Sequence, residues 1–295
     1  MLFSAGLRGQ VIGRDPIHVW ELSAVERVRL DDGTSVILKT AAAPFTKEAN
    51  MIRHVAKHGV PVPALLMSTK LLDGQLAMLL EDLGPMPEQD APMDVGARTA
   101  VAVHSCPAPT GLPLLDARAL ASLPVKALTS LESLQASGRW TGACDVRSLL
   151  EQLADVADRR AAGADTPPYG LCHSEFHPTS LHTSPHGIKV LDWARAFAGP
   201  GLLDLASWED TPKPLDVAAI AEMIAAYVAA GGAESAQAKR GGLSAAAWAG
   251  GWHRLWIIEW YLQQSVKWMP DPGRDQATRR AVRRHLLEAL QCLRQ

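Results

Sequence analysis

Cysteine is scarce and scattered: Cys106, Cys144, Cys172 and Cys292 are the four in 295 residues, and no two form a C-x-x-C pair. That argues against a disulfide framework and a zinc knuckle, and reads as reduced thiols in a cytoplasmic protein. Net charge is also small. Twenty-nine basic residues face 31 acidic ones, a formal −2, so no global field draws the chain to nucleic acid or to an anionic membrane. Long apolar runs are missing: "VAAIAEMIAAYVAAGG" is the most apolar stretch, is interrupted by Glu222 and is too short to span a bilayer. The opening "MLFSAGLRGQ" lacks a basic segment followed by an apolar one, so no signal peptide is expected. Lysine is sparse beside arginine and alanine, as in GC-rich bacterial genomes, and neither an internal repeat nor a low-complexity segment is found.

What is present is an ordinary soluble composition, 47% apolar and 20% charged, at a length that suits two lobes. The first ~80 residues read as β-rich. "HVWELSAV" and "ERVRLDDGTSVILKT" are strand-like, with "DDGT" as a hairpin turn. "PFTKEANMIRHVAKHG" places Met51, Ile52 and Val55 at helical spacing and ends on Gly59, where a C-cap belongs. "VPVPALL" is extended, and "GQLAMLLEDLG" reads as a strand running into a connector near Glu81–Gly84. Beyond Gly84 the chain turns helical, with candidate helices at Asp94–His104, Asp145–Ala162, Pro214–Ala230, Ser244–Lys267 and Gln276–Leu293. In that half only "GIKVLDW" looks like a strand, preceded by a turn at "TSPHG". The expected division is therefore 1–83, a small α/β lobe, and 84–295, a larger helical lobe.

Three features carry chemistry. Lys39 ends the strand "SVILKT", and Glu48 follows nine residues later, early on a helix. A strand lysine and a helix carboxylate in this order can pair and hold the amine against phosphate oxygens. Glu175 in "HSEFHPTS" and Asp192 in "VLDW" are 17 residues apart and flank a hairpin. One can orient a hydroxyl while the other holds Mg²⁺ that bridges phosphates.

In this order the segments resemble the aminoglycoside phosphotransferase and choline kinase family, over roughly Val11 to Trp208. "VILKT" resembles its lysine-bearing strand, and "KEANMIRHVAKHGVPVPALL" its helix and following turn. "MLLEDLG" resembles the hinge, "GARTAVAVHS" a helix ending in Leu-His-Ser or similar, and "HSEFHPTSL" the catalytic loop H-G-D-x-H-P-x-N-L. "VLDW" overlies the metal-binding I-D-W, and "GPGLLDLASW" the segment G-D-P-x-x-D-L-A. The resemblance implies an α+β, bilobal, protein-kinase-like fold with a β-rich N-lobe and a mainly helical C-lobe. It implies ATP (or GTP) and Mg²⁺ as cofactors. Lys39 and Glu48 would form the phosphate-holding pair, and Glu81, Asp82 and Leu83 would meet adenine through their backbone. Asp192 and Ser180 would hold metal, and Glu175 would be the catalytic carboxylate.

The chain departs from the motif at three positions. Glu175 stands where the family has aspartate, Ser180 where it has asparagine, and Ser174 where it has glycine. The added methylene moves the carboxylate by ~1.5 Å unless the backbone retreats. A misplacement of about 1 Å can cost on the order of 10²-fold where positioning is the main catalytic device. Serine remains a neutral oxygen ligand acceptable to Mg²⁺. The replacements are polar and chemically related, which points to a re-cut site. "VIGRDPIHVW" has only Gly13, so no backbone phosphate cradle is inferred there; Arg14 and His18 read best as solvent-facing. His173, Glu175, His177, His182 and His186 suggest zinc, but the P-C-x-x-C of nucleobase deaminases and the H-E-x-x-H of zinc peptidases are both missing.

For the acceptor, Trp248, Trp252, Trp256 and Trp260 recur every fourth residue, chiefly a core stripe. Small and polar neighbours, Glu259 among them, leave room for Trp252, Trp256 or Trp260 to line a pocket. Glu209 and Asp210 could serve one amine. "RDQATRRAVRR" reads as a solvated basic helix face. From Gly201 onward acids and bases are nearly balanced, which favours a small-molecule acceptor less cationic than an aminoglycoside, such as a nucleoside, peptide or macrolide antibiotic, with aminoglycosides left open. The reading is an O-phosphotransferase of the antibiotic-resistance type. Two others stay open: a nucleotide-binding pseudoenzyme, and a metabolic kinase for choline, a sugar or homoserine.

Overall fold

The computed structural model describes residues 9–185, 187–209 and 211–295, so expectations on His186 and Asp210 fall outside the described residues. By contact the chain forms two compact units. One is the chain up to Ala91 together with Thr179–Arg195; the other is Pro92–Pro178 with Ala196–Gln295.

The first unit is built on a five-stranded antiparallel sheet: β1 (Val11–Val19), β2 (Ser23–Leu30), β3 (Ser35–Ala41), β4 (Leu65–Lys70) and β5 (Leu76–Glu81). Their spatial order is β1-β2-β3-β5-β4. "DDGT" makes the β2–β3 turn as expected. Gly33 takes φ +81°, and the Asp32 carboxylate accepts the Thr34 N–H at 2.9 Å. Period-two alternation sends Val28, Leu30, Val36 and Leu38 inward, where they meet Leu79 and Met67. Edge strand β1 is largely exposed, contains Pro16 and shifts register twice against β2, which blunts its open side. Helix α1 (Glu48–Lys57) buries Ala49, Met51, Ile52 and Val55 and closes at Gly59 with φ +83°. The hairpin β7 (Leu181–Ser184) and β8 (Gly187–Val190), which the sequence suggests for the helical half, groups with this sheet. The physical reason is hydrogen bonding to the Pro61–Val62 backbone: Val190 N–H donates to Pro61 O at 2.7 Å, and the Lys189 side-chain Nζ donates to Val62 O at 3.1 Å.

The second unit holds helices α2 (Met93–Ser105), α3 (Ala117–Ala121), α4 (Leu123–Ala136) and α5 (Cys144–Ala161). The paired strands β6 (Tyr169–Cys172) and β9 (Phe197–Pro200) follow, then α6 (Leu202–Ser207), α7 (Val217–Ala229), α8 (Ala245–Lys267) and α9 (Asp275–Leu293). The five expected helices are present within three residues at each end. α3, α4, α6, strand β7 and the β6–β9 ribbon are additional to that reading. Helix α8 runs through the core, with Trp248 and Trp252 fully buried. Gly251 admits a neighbour closely, since a Cβ there would stand 2.6 Å from Leu293. The basic run of α9 is only partly a solvated face. Arg279 and Arg283 reach Asp145 at 3.2 and 3.0 Å, and Arg284 donates to Thr211 O and Pro212 O. No helix among the described residues is long and apolar enough to cross a membrane.

Candidate active site

In the first unit, Lys39 lies in the middle of the sheet on β3, paired with Val25 and Met78 of the flanking strands. Its side chain is nearly buried. Nζ donates to Glu48 Oε1 at 2.8 Å and to Asp192 Oδ1 at 2.9 Å. Glu48 opens α1, where the helix dipole favours a carboxylate, and is buried. Asp192 follows β8 with φ +60°, a left-handed conformation that aspartate tolerates better than most residues. Its side chain is half exposed, while Trp193 behind it is fully buried and donates its indole N–H to Val190 O at 3.2 Å. Ser180 is buried just before β7, at the same open end of the hairpin, its carbonyl accepting the Leu191 N–H at 2.8 Å.

One ammonium thus faces two carboxylates. Burial opposes the charge on Lys39, but Glu48 and Asp192 outweigh it and hold the amine protonated, above its ordinary value. Burial also pushes Glu48 up to about 7 despite Lys39, because Asp192 adds a second negative charge nearby. With both carboxylates ionised, this three-residue group carries one unbalanced negative charge. The donors on offer, the Asp192 carboxylate and the Ser180 hydroxyl, are hard oxygen ligands. The set therefore fits Mg²⁺.

The hinge side chains serve the fold. Asp82 accepts from Arg27 Nε at 2.6 Å, Ser35 Oγ at 2.6 Å and the Gly84 N–H at 2.9 Å. Glu81 accepts the Ala64 N–H at 3.0 Å, and Leu83 is half-buried. Gly13 lies within β1, and neighbouring Arg14 pairs with Glu26 rather than standing free.

In the second unit, Glu175 sits half-buried on the loop that follows β6. That loop is fastened on both sides of it. The fully buried Asp204 carboxylate of α6 accepts the His173 N–H at 2.6 Å and the Ser174 N–H at 2.8 Å, and His104 Nε2 lies 3.3 Å away. Beyond Glu175, Phe176 is buried against Trp208 at 5.7 Å, and its carbonyl accepts from Ser207 Oγ at 2.8 Å. "LLDLASW" thus supplies three anchors for the loop, and their role was not read from the sequence. The signal was available as a buried-type aspartate in an otherwise apolar helix turn. Ser174, at the family's glycine position, has φ +83°, a backbone conformation that costs a non-glycine residue about 1–2 kcal/mol.

The acceptor residues separate. Trp252 is fully buried and bonds Arg160 O through its indole N–H at 3.2 Å, so it belongs to the core and is withdrawn as a pocket residue. Glu259 is nearly buried, with Gln263 Nε2 donating to it at 3.1 Å. Trp256 and Trp260 are half-buried; Trp256 packs on Phe197, and Trp260 lies against Trp268 at 5.6 Å. Glu209 is half-buried and its carboxyl is raised, by burial and by Asp216 and Glu222, against the pull of Lys213. Two of the histidines weighed for zinc have local contacts. His182 Nε2 lies 3.0 Å from Pro85 O, and the buried His173 ring lies edge-on to Phe176.

The chain belongs to the phosphotransferase enzyme family, whose profile matches residues 21–240, and it is a phosphotransferase. Its fold is protein-kinase-like. Among solved structures it is similar to a thermostable mutant of aminoglycoside phosphotransferase APH(4)-Ia in ternary complex with ADP and hygromycin B. That match has 16% identity and a TM-score of 0.61, covering 97% of each chain. It is also similar to macrolide 2'-phosphotransferase MphH from Brachybacterium faecium, at 18% identity and a TM-score of 0.62, covering 95% of each chain. A candidate fructosamine-3-kinase from Haemophilus somnus 129PT matches at 14% identity and a TM-score of 0.61, covering 96% of this chain and 94% of that one. A search of the curated proteins gives no significant match.

Proposed function

We propose that this phosphotransferase moves the γ-phosphate of ATP or GTP to a hydroxyl of an uncharged or weakly cationic small molecule of natural-product antibiotic type. The observation that carries the reading is the buried Lys39 amine held by Glu48 and Asp192, within a chain that belongs to this family. Lys39 holds nucleotide phosphate oxygens, and Glu48 fixes the direction of its amine. The backbone of Glu81, Asp82 and Leu83 meets the base. Asp192 and Ser180 hold Mg²⁺, which when bound neutralises charge on the phosphates. Glu175 orients the acceptor hydroxyl and takes its proton. The acceptor oxygen forms a bond to the γ-phosphorus as the bond to the bridging β–γ oxygen breaks and the nucleoside diphosphate leaves.

Fold neighbours act on or bind a range of acceptors: hygromycin B in one, a macrolide in another. Net charge near zero supports the less cationic end of that range. Trp260, Glu259 and Glu209 remain as candidate acceptor contacts, while the Trp256 indole N–H is engaged by Ser174. The test is Mg²⁺-dependent turnover of ATP and GTP against a panel of hydroxylated antibiotics, with mass spectrometry for one added phosphoryl group. Choline, sugars and homoserine belong in the same panel. Glu175→Gln is expected to lower kcat by ~10²-fold or more, and Asp192→Asn to remove product formation. Tight nucleotide binding with no product from any acceptor would sink the proposal.

A further inference from the structure

Three tryptophans of α8 sit one turn apart and use their indole N–H groups differently. Trp248 and Trp252 are fully buried, and both donate to Arg160 O, at 2.7 and 3.2 Å. Trp256 is half-buried, and its Nε1–H donates to Ser174 Oγ at 3.2 Å. Its ring also lies against Phe197 of β9, at 5.5 Å between centroids, and Phe197 pairs with Cys172 at the end of β6. The indole therefore braces the root of the loop and bonds the residue next to Glu175.

Ser174 is the position where a glycine would be at ease, with φ +83°. Its amide is already fixed by Asp204 Oδ1 at 2.8 Å. A second bond, from Trp256 to the hydroxyl, ties the side chain of the same residue, directly before Glu175 in the loop. A glycine would offer no hydroxyl for this. Serine and tryptophan make sense together, as a matched pair.

We infer that Trp256 is a positioning residue for phosphoryl transfer, acting through Ser174 on the placement of the Glu175 carboxylate. The inference rests on Glu175 being the proton acceptor.

The test is a double-mutant cycle on MgATP turnover, followed with hygromycin B, with a macrolide and with water alone as acceptor. Trp256→Phe keeps the ring and deletes the donor; it is expected to lower kcat about tenfold with KM for ATP unchanged within about twofold. In a Ser174→Gly background the same change is expected to add less than about twofold, because the acceptor is already gone. If Trp256→Phe does not fold, Ser174→Ala deletes the bond from the other side and carries the same expectation for kcat. Equal losses in both backgrounds overturn the inference. So does an effect confined to KM for the acceptor, which would make Trp256 a substrate contact. Glu175→Gln, measured alongside, separates the two ideas. If it leaves kcat intact, the underlying reading fails; if it abolishes turnover while Trp256→Phe is silent, only the positioning role fails. A wild type that turns over MgATP with none of the three acceptors overturns both.

Discussion

Glu48 is the side chain whose protonation most directly reports the state of the Lys39 group. Its carboxyl is pushed from an ordinary 4.5 up to about 7, first by burial and then by Asp192, against Lys39. Between those values the folded protein holds a proton that the unfolded chain has released. This contribution to stability is therefore full below about 4.5 and is lost as the pH rises through about 7, at a limiting slope on the order of 1 kcal/mol per pH unit. Chemical denaturation across pH 4.5–8 is expected to show wild type losing stability relative to Glu48→Gln as the pH rises, a difference from which Glu209, raised by burial, and His285, pushed down to about 4 by burial, drop out because both proteins carry them. Parallel curves for the two proteins would assign the titration elsewhere. Asp275 does not confuse the window: the Arg139 guanidinium holds its carboxyl below the ordinary value, so its contribution disappears only at lower pH. The Lys39–Glu48 pair was legible in the sequence because a strand end and a helix start nine residues apart allow few geometries. The partners of Asp204 were not: an aspartate in an apolar turn signals burial, but its targets, backbone N–H groups 30 and 31 residues away, follow from no local pattern.

Among the elements, α2 and α6 show how a small residue sets the loop's support. A Cβ at Gly96 of α2 would stand 2.4 Å from the Trp208 ring, and Trp208 is the surface on which Phe176 rests. Gly96→Ala is expected to displace that ring and cost about 1–3 kcal/mol, although alanine is the better helix former. A lowered melting midpoint checks it, and an unchanged or raised one would show that the ring yields freely. Helices with one apolar stripe, such as α1 and α5, could be read from the sequence because their period is plain. α4 could not. Pro124 looks like a breaker within "ASLPVKALTSLESL", yet it occupies the first turn of the helix, where its missing N–H has no helical partner to lose. Strands β6 and β9 are four residues each, with glycines at 170 and 199 paired together, too short and too plain to show a period of two.

At the scale of the whole molecule, nucleotide binding should be visible as stability. A ligand that binds only the folded state at ~100 times its Kd adds about 2.7 kcal/mol, or roughly 5 °C in midpoint for a chain of this size. Scanning calorimetry with MgADP is expected to show this for wild type and to show much less for Lys39→Met, which keeps the aliphatic stem but not the amine. An equal shift in the variant would mean that nucleotide binds without Lys39.

The bond from Lys39 to Asp192 joins residues 153 apart in sequence, while the bond from Lys39 to Glu48 spans nine. During translation at ~5–20 residues per second, the sheet emerges roughly 5–20 s before the hairpin that completes it. Through that interval Lys39 and Glu48 are a balanced pair of opposite charges, lacking the third member that makes the group negative. On the proposed function, the metal ligand Asp192 therefore arrives late, when somewhat less than half of the second unit has been made. On the same reading, the unfinished sheet of a nascent chain would hold the lysine and its carboxylate but not yet the metal ligand.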